Sequence, residues 1–295
     1  MSRSIYSKKK KNSGFGMIYL VSFLFILLLS FVLASIWQRS EDNANSLVSG
    51  YSSSESSSAA QSSDGSSQPD TQDSSVSVPE SQSSAVDLSS ITLVPELDRV
   101  TSEYFDNAVF IGDSITEGIK TYGMMTNATV IAATGINLST ITTSAVVKTE
   151  SGRVTVLDAL KQYPETGKIY ILLGANGIAW MEKDSFVQMY SDFVKELKAQ
   201  CPDALIYIQS IFPINEEKFS EHYDSEITNE KIREYNSALL DMSKELGVYY
   251  LNVAETIADQ NGALSDDATT DGMHIGTDYY EKWFNYLKKH AVPAA

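Results

Sequence analysis

Beyond residue 90 the sequence alternates between short apolar runs and longer segments with helical spacing, and this alternation restricts the fold more than any other feature. The runs are 107–111 (NAVFI), 129–133 (TVIAA), 168–173 (KIYILL), 204–209 (ALIYIQ) and 248–252 (VYYLN). Each is rich in β-branched or aromatic residues, as strands buried on both faces are. Helical patterns occupy 114–121, 138–146, 154–162, 184–200, 229–246 and 276–291. In 184–200, Phe186, Tyr190, Phe193, Val194 and Leu197 form one apolar stripe that reads as core, with Asp184 as the expected N-cap. Strands joined by helical crossovers pair in parallel, with helices on both faces. The expectation is an α/β domain over 91–295 built on a five-stranded parallel sheet.

The first 90 residues obey different physics. Residues 1–15 are basic, with Arg3 and Lys8 to Lys11 and no acid. Residues 16–37 (GMIYLVSFLFILLLSFVLASIW) carry no charge, and about 20 apolar residues span a bilayer core. The lysines predict an uncleaved, single-pass signal anchor with the remainder outside the cell. A cleaved signal peptide, cut near the small residues of VLAS at 32–35, is the alternative and yields a secreted domain. Residues 38–90 are rich in serine and poor in apolar residues. Such a tract cannot offset its ordering entropy and is expected to be a disordered linker, with an r.m.s. span of roughly 40 Å.

Charge narrows the partners. The chain has 22 basic and 38 acidic residues, a net charge of −16. That balance argues against nucleic acid, whose binding needs cationic patches. The single cysteine, Cys201, excludes an internal disulfide and reads as a small buried hydrophobe. Three dispersed histidines without ligand spacing imply no metal, and no cofactor motif is present. His222 and His290 lie in polar surroundings and read as surface residues. No protein partner is indicated.

Ligands of parallel sheets bind beyond the carboxyl ends of the strands. Four polar stretches fall there. The first run ends in GDSITEG with Ser114, the second in ATGIN with Gly135, and the third in LLGANGI with Asn176. The loop TTDGMHI near the C-terminus holds Asp271 and His274. These residue types suit serine acyl transfer. A serine hydroxyl needs a base, here His274, and the base needs a carboxylate to fix its tautomer, here Asp271. The oxyanion needs donors, for which the Ser114 N–H, the Gly135 N–H and the Asn176 amide are candidates. Each motif alone has a local structural explanation, and the combination at strand ends makes the signal specific. Glu117 reads as solvated. Trp180, Phe212, Pro213 and Met273 are candidates for lining the acyl or leaving-group pocket, with core packing as the alternative for each.

With FIGDSITEG, ATGIN, LLGANGI and DGMHI in this order, the sequence resembles the SGNH hydrolases, the GDSL lipase/esterase superfamily, over residues 105–290. The resemblance implies a flavodoxin-like, three-layer α/β/α sandwich with strand order 2-1-3-4-5. It also implies Ser114 as nucleophile, Gly135 and Asn176 as oxyanion donors, and Asp271 and His274 as the remaining catalytic residues. Two departures are visible. Ile115 stands where the family name has leucine, and Gly177 follows Asn176 where many members have aspartate. The activity implied is a serine esterase that removes small acyl groups, acetyl foremost, from carbohydrate or cell-envelope glycan esters. An O-acyltransferase using the same residues and a catalytically silent surface-binding domain are the rival readings. A long-chain lipase ranks lower because no long apolar insertion is present.

Overall fold

The computed structural model describes residues 91–293. The expected basic terminus (1–15), membrane anchor (16–37) and serine-rich linker (38–90) lie outside these residues. Among the described residues no helix is long and apolar enough to cross a membrane.

Five parallel strands form the sheet: β1 (Ala108–Gly112), β2 (Thr129–Ala132), β5 (Lys168–Leu172), β6 (Leu205–Gln209) and β7 (Tyr249–Leu251), in the order β2-β1-β5-β6-β7. A separate antiparallel hairpin, β3 (Val147–Thr149) with β4 (Gly152–Val154), is inserted between the second and third strands of the sheet. Counted among the sheet strands alone, the order is 2-1-3-4-5; the hairpin is the detail that the sequence reading lacked. The segment before it, 138–146, was expected to be a helix and is not one. Instead Asn137 accepts from the Ser139 N–H at 3.0 Å, and the Thr140 hydroxyl bonds the Asn137 carbonyl at 3.2 Å. Side chains that bond nearby backbone in this way hold the chain in turns and compete with a helix.

The helices are α1 (Ser114–Thr121), α2 (Val156–Leu160), α3 (Lys183–Gln200), α4 (Glu216–His222), α5 (Asn229–Leu246), α6 (Ala254–Ile257) and α7 (Thr277–Lys289). Side-chain caps start several of them: Asp113 accepts from the Ile115 N–H, Thr155 from Asp158, Asn215 from Lys218 and Thr228 from Lys231. The expected cap of α3 is a correction. Glu182 holds the N-cap position without a side-chain bond, and Asp184 sits inside the first turn, where its charge still favours the helix N-terminus. Gly247 ends α5 in the left-handed conformation, φ 61°.

Register explains the core. Phe110, Tyr170, Tyr207 and Tyr249 are successive cross-strand partners in β1, β5, β6 and β7. Their rings stack with centroids 4.8, 4.6 and 5.2 Å apart. Phe284 of α7 meets Phe110 edge-on on this face. On the opposite face the Tyr250 hydroxyl donates to the Asn236 carbonyl of α5, and Phe186 of α3 packs on Tyr235 of α5. Helices therefore cover both faces. His290, expected at the surface, is buried; its ring stacks on Tyr286 with centroids 3.7 Å apart and its Nδ1 bonds the Tyr286 carbonyl. Cys201 is half-buried at the end of α3, and burial pushes its thiol pKa up.

The chain enters the domain along the edge of the sheet. The Tyr250 N–H donates to the Thr92 carbonyl and the Val94 N–H to the Tyr250 carbonyl, with Leu93 bridged in parallel to Tyr250. Because this pairing is parallel, residue 91 lies toward the amino ends of the strands, away from the end of β1 that leads to Ser114.

That end of β1 tolerates no side chain at Gly112. A Cβ there would lie 2.0 Å from Thr116 Oγ1 and 2.5 Å from the Leu172 carbonyl oxygen. Gly112→Ala is expected to lower stability by about 1–3 kcal/mol through overpacking, measured by urea unfolding of the full-length protein. An unchanged midpoint would contradict this close packing of β1, β5 and α1.

Candidate functional site

The strand-to-helix turn after β1 sets the first half of the site. Asp113 is 3% exposed and caps α1 through its Oδ1, which accepts from the Ile115 N–H at 3.1 Å. This cap places Ser114 at the first position of α1, half-exposed, where a backbone N–H has no intrahelical acceptor. The helix is fixed from above by Tyr280 of α7, whose hydroxyl donates to the Ile115 carbonyl at 2.6 Å.

The second half comes from the loop before α7. Thr269 and Ile275 bridge antiparallel and close a tight loop. Inside it, Asp271 Oδ1 accepts from the N–H groups of Met273 at 3.0 Å and His274 at 2.9 Å, and from the Thr269 hydroxyl at 3.3 Å. The Asp-x-x-His spacing has this local cause: the carboxylate folds back on its own loop with one oxygen and turns the other to the imidazole. Gly272 makes the turn possible. Its φ is +88°, and a Cβ would lie 2.2 Å from the Phe219 backbone nitrogen of α4.

The two halves meet in one hydrogen-bonded line. Ser114 Oγ lies 2.9 Å from His274 Nε2, and His274 Nδ1 lies 2.6 Å from Asp271 Oδ2. A hydroxyl, an imidazole and a carboxylate in this order can take a proton off the hydroxyl and hold the resulting imidazolium. The two acids near the imidazole sit in opposite environments. Burial raises the pKa of Asp271, but bonds from His274, the Met273 and His274 N–H groups and Tyr223 outweigh it and hold the carboxyl well below the usual range. Asp113 has fewer donors, and burial pushes it up to about 6, against smaller opposing effects of the Ile115 N–H and the His274 charge.

The remaining sequence candidates fall into two groups. Gly135 is exposed on the loop after β2 with φ +77°, and its N–H has no protein acceptor among the described residues. Asn176 lies on the turn after β5, and its Nδ2 donates to Asp113 Oδ2 and to the Ile136 carbonyl, each at 3.2 Å. Trp180, on the same turn, is 60% exposed with its Nε1 donating to the Asn176 carbonyl at 3.1 Å. Met273 is nearly closed off within the loop between Asp271 and His274. Phe212 and Pro213 are buried as well, and the Phe212 ring packs edge-on against Trp283. Their side chains are taken up by the core, so the expectation that they line a pocket is corrected. Glu117 is half-buried and accepts from the Thr134 hydroxyl at 2.7 Å, which ties α1 to the Gly135 loop; it is not simply solvated. His222 is exposed, with Nδ1 bonded to the Lys218 carbonyl.

Sequence reasoning missed Tyr223, whose hydroxyl donates to Asp271 Oδ2 at 2.7 Å and lies 3.4 Å from His274 Nδ1. No motif marks it; only the path of α4 brings it to the site. The link between Asn176 and Asp113 was equally invisible, since it joins two turns from different strands.

Asp113 makes stability depend on pH. Its folded value, about 6, exceeds the ordinary 3.8, so the native state keeps a proton that the unfolded chain has lost. The cost of the buried charge is absent below about pH 4 and complete above about pH 6, on the order of 3 kcal/mol. Asp113→Asn removes this titration. Its unfolding free energy relative to wild type is expected to rise by that amount between about pH 4 and pH 7 in urea denaturation. A difference that stays constant with pH would contradict the burial of an ionising Asp113.

The sequence profile of the GDSL-like lipase/acylhydrolase family matches residues 110–282, more than half of the chain. No curated protein matches the sequence. Similar solved structures include a candidate platelet activating factor from Streptococcus pneumonia, 24% identical, covering 62% of this chain and 82% of that one, with a TM-score of 0.51. A candidate acylhydrolase from Bacteroides fragilis is 17% identical, covers 66% of this chain and 88% of its own, and has a TM-score of 0.48. A GDSL-like lipase from Bacteroides thetaiotaomicron is 18% identical, with 65% and 90% covered and a TM-score of 0.48. The likeness to the Streptococcus protein concerns the fold; the family rests on the profile. The chain belongs to the GDSL-like lipase/acylhydrolase family and is a hydrolase of ester bonds.

Proposed function

We propose that the protein is an extracellular serine esterase that removes small acyl groups, acetyl foremost, from carbohydrate or cell-envelope glycan esters. The observation that carries the reading is the line from Ser114 Oγ through His274 to Asp271, with steps of 2.9 and 2.6 Å. Ser114 Oγ attacks the ester carbonyl while His274 Nε2 takes its proton. The tetrahedral intermediate collapses as the imidazolium returns that proton to the leaving alkoxide, which departs as an alcohol. Water, deprotonated by His274, then attacks the acyl-Ser114 ester, and the carboxylic acid leaves with Ser114 restored. The N–H groups of Ser114 and Gly135 are the first oxyanion donors. Asn176 is the third: its two amide hydrogens go to Asp113 and the Ile136 carbonyl, and one of them turns to the oxyanion as charge develops.

A small acyl group and a polar leaving group suit the surroundings. Trp180, on the same turn as Asn176 and bonded to its carbonyl, is exposed; the loop after β2 carries Thr134, Gly135, Asn137 and Ser139. Placement outside the cell, anchored through 16–37, rests on the uncharged run and the lysines that precede it.

The test compares full-length wild type and Ser114→Ala on p-nitrophenyl acetate, butyrate and octanoate. The expected result is kcat/KM highest for acetate and roughly 1,000-fold or more lower in the variant. Wild-type turnover no faster than that of Ser114→Ala would contradict the nucleophile, and a preference for octanoate would contradict the small acyl group.

A further inference from the structure

Asp271 spends its two oxygens differently. Oδ1 is filled by its own loop, through Met273, His274 and Thr269. Oδ2 faces two side-chain donors: His274 Nδ1 of the same loop at 2.6 Å and, from the end of α4, the Tyr223 hydroxyl at 2.7 Å. We propose that Tyr223 is a positioning residue that shares Asp271 Oδ2 with the imidazole and thereby sets how strongly the carboxylate holds the His274 imidazolium. The proposal leans on the serine-esterase reading for its kinetic consequence alone.

Tyr223 is held for this task. It follows α4 directly, its N–H donates to the Phe219 carbonyl at 2.9 Å, and its ring stacks on Phe219 with centroids 4.7 Å apart. Phe219 in turn lies against Gly272, in the loop that carries Asp271. Burial, then the bond to Asp271 and its charge, push the phenol up to about 12. The hydroxyl therefore stays protonated at neutral pH, and its one hydrogen goes to Oδ2. A hydrogen bond to a carboxylate stabilises the charge on it and makes it a weaker acceptor for a second donor. With Tyr223 in place the carboxylate holds the imidazolium less tightly. The titratable groups facing the imidazole are Asp271 on its own loop, Asp113 beside Ser114, and Tyr223. Asp113 bonds Ile115 and Asn176 and does not touch Tyr223, so its influence is the same whether or not the phenol is present.

Tyr223→Phe removes the hydroxyl and keeps the stacked ring. Full-length wild type and variant are compared on p-nitrophenyl acetate from about pH 5 to 9. Loss of the donor leaves Oδ2 the stronger acceptor for His274, so the acid limb of kcat/KM is expected to move up by about half to one pH unit. An acid limb that stays in place overturns the proposal; a fall in kcat with an unmoved limb assigns Tyr223 a purely structural part. A second measurement is independent of turnover: the His274 imidazole titration followed by NMR, its resonance identified by loss in His274→Gln. The midpoint is expected to rise in Tyr223→Phe, and an unchanged midpoint overturns the proposal whatever the kinetics. If wild type proves inactive on esters the serine-esterase reading fails, and the titration still decides the role of Tyr223.

Discussion

The parallel register of β1 against β5 is the constraint on which the rest depends. It sets Gly112 beside Leu172, so that the turns to Ser114 and to Asn176 leave the sheet at the same edge. The approach is close enough that a β-carbon on Gly112 would lie 2.5 Å from the Leu172 carbonyl oxygen. From that edge Asp113 reaches Asn176 across the gap between strands, and α1 starts with Ser114 turned toward the loop before α7. A slip of one residue would turn Phe110 out of the aromatic stack and Ser114 away from His274 together, so core packing and site geometry select the same register.

Two carboxylates within reach of one imidazole illustrate how environment divides labour. Asp271 accepts from its own loop, from His274 and from Tyr223, and its charge is well compensated. Asp113 is more deeply buried and accepts from one backbone N–H and one side-chain amide. The first stays ionised beside the imidazole, and the second moves toward neutrality beneath the nucleophile. Environments that push like groups apart are the usual means of assigning them different tasks. Here the means are the loop's own N–H groups around Asp271 and the core around Asp113.

Much of the fold was legible in the sequence because the strands are buried on both faces and read as unbroken apolar runs. The helix over 184–200 was legible through its apolar stripe, and those over 114–121 and 229–246 through their helical spacing. What escaped was set by local bonds that composition hides. Asn137 and Thr140 turn the 138–146 segment away from a helix; Val147–Val154 forms a hairpin on six strand residues too short to show a period. The site divides the same way. Ser114, Gly135 and Asn176 stood out because their motifs fall at strand ends, and Asp271 and His274 because theirs lies in the C-terminal loop. Tyr223 did not, because α4 is short and nothing near it resembles a motif. Phe212 and Pro213 misled because a strand-end loop in sequence is not always a rim in space; here β6 continues directly into the core.

The central claim is that His274 activates Ser114 toward an electrophile. It is tested most directly by treating the full-length protein with a fluorophosphonate and locating the adduct by peptide mass spectrometry. The account predicts a single phosphonyl group on Ser114, with labelling roughly 100-fold slower in His274→Ala. No adduct on a folded protein, an adduct on another residue, or labelling that ignores His274 would contradict it.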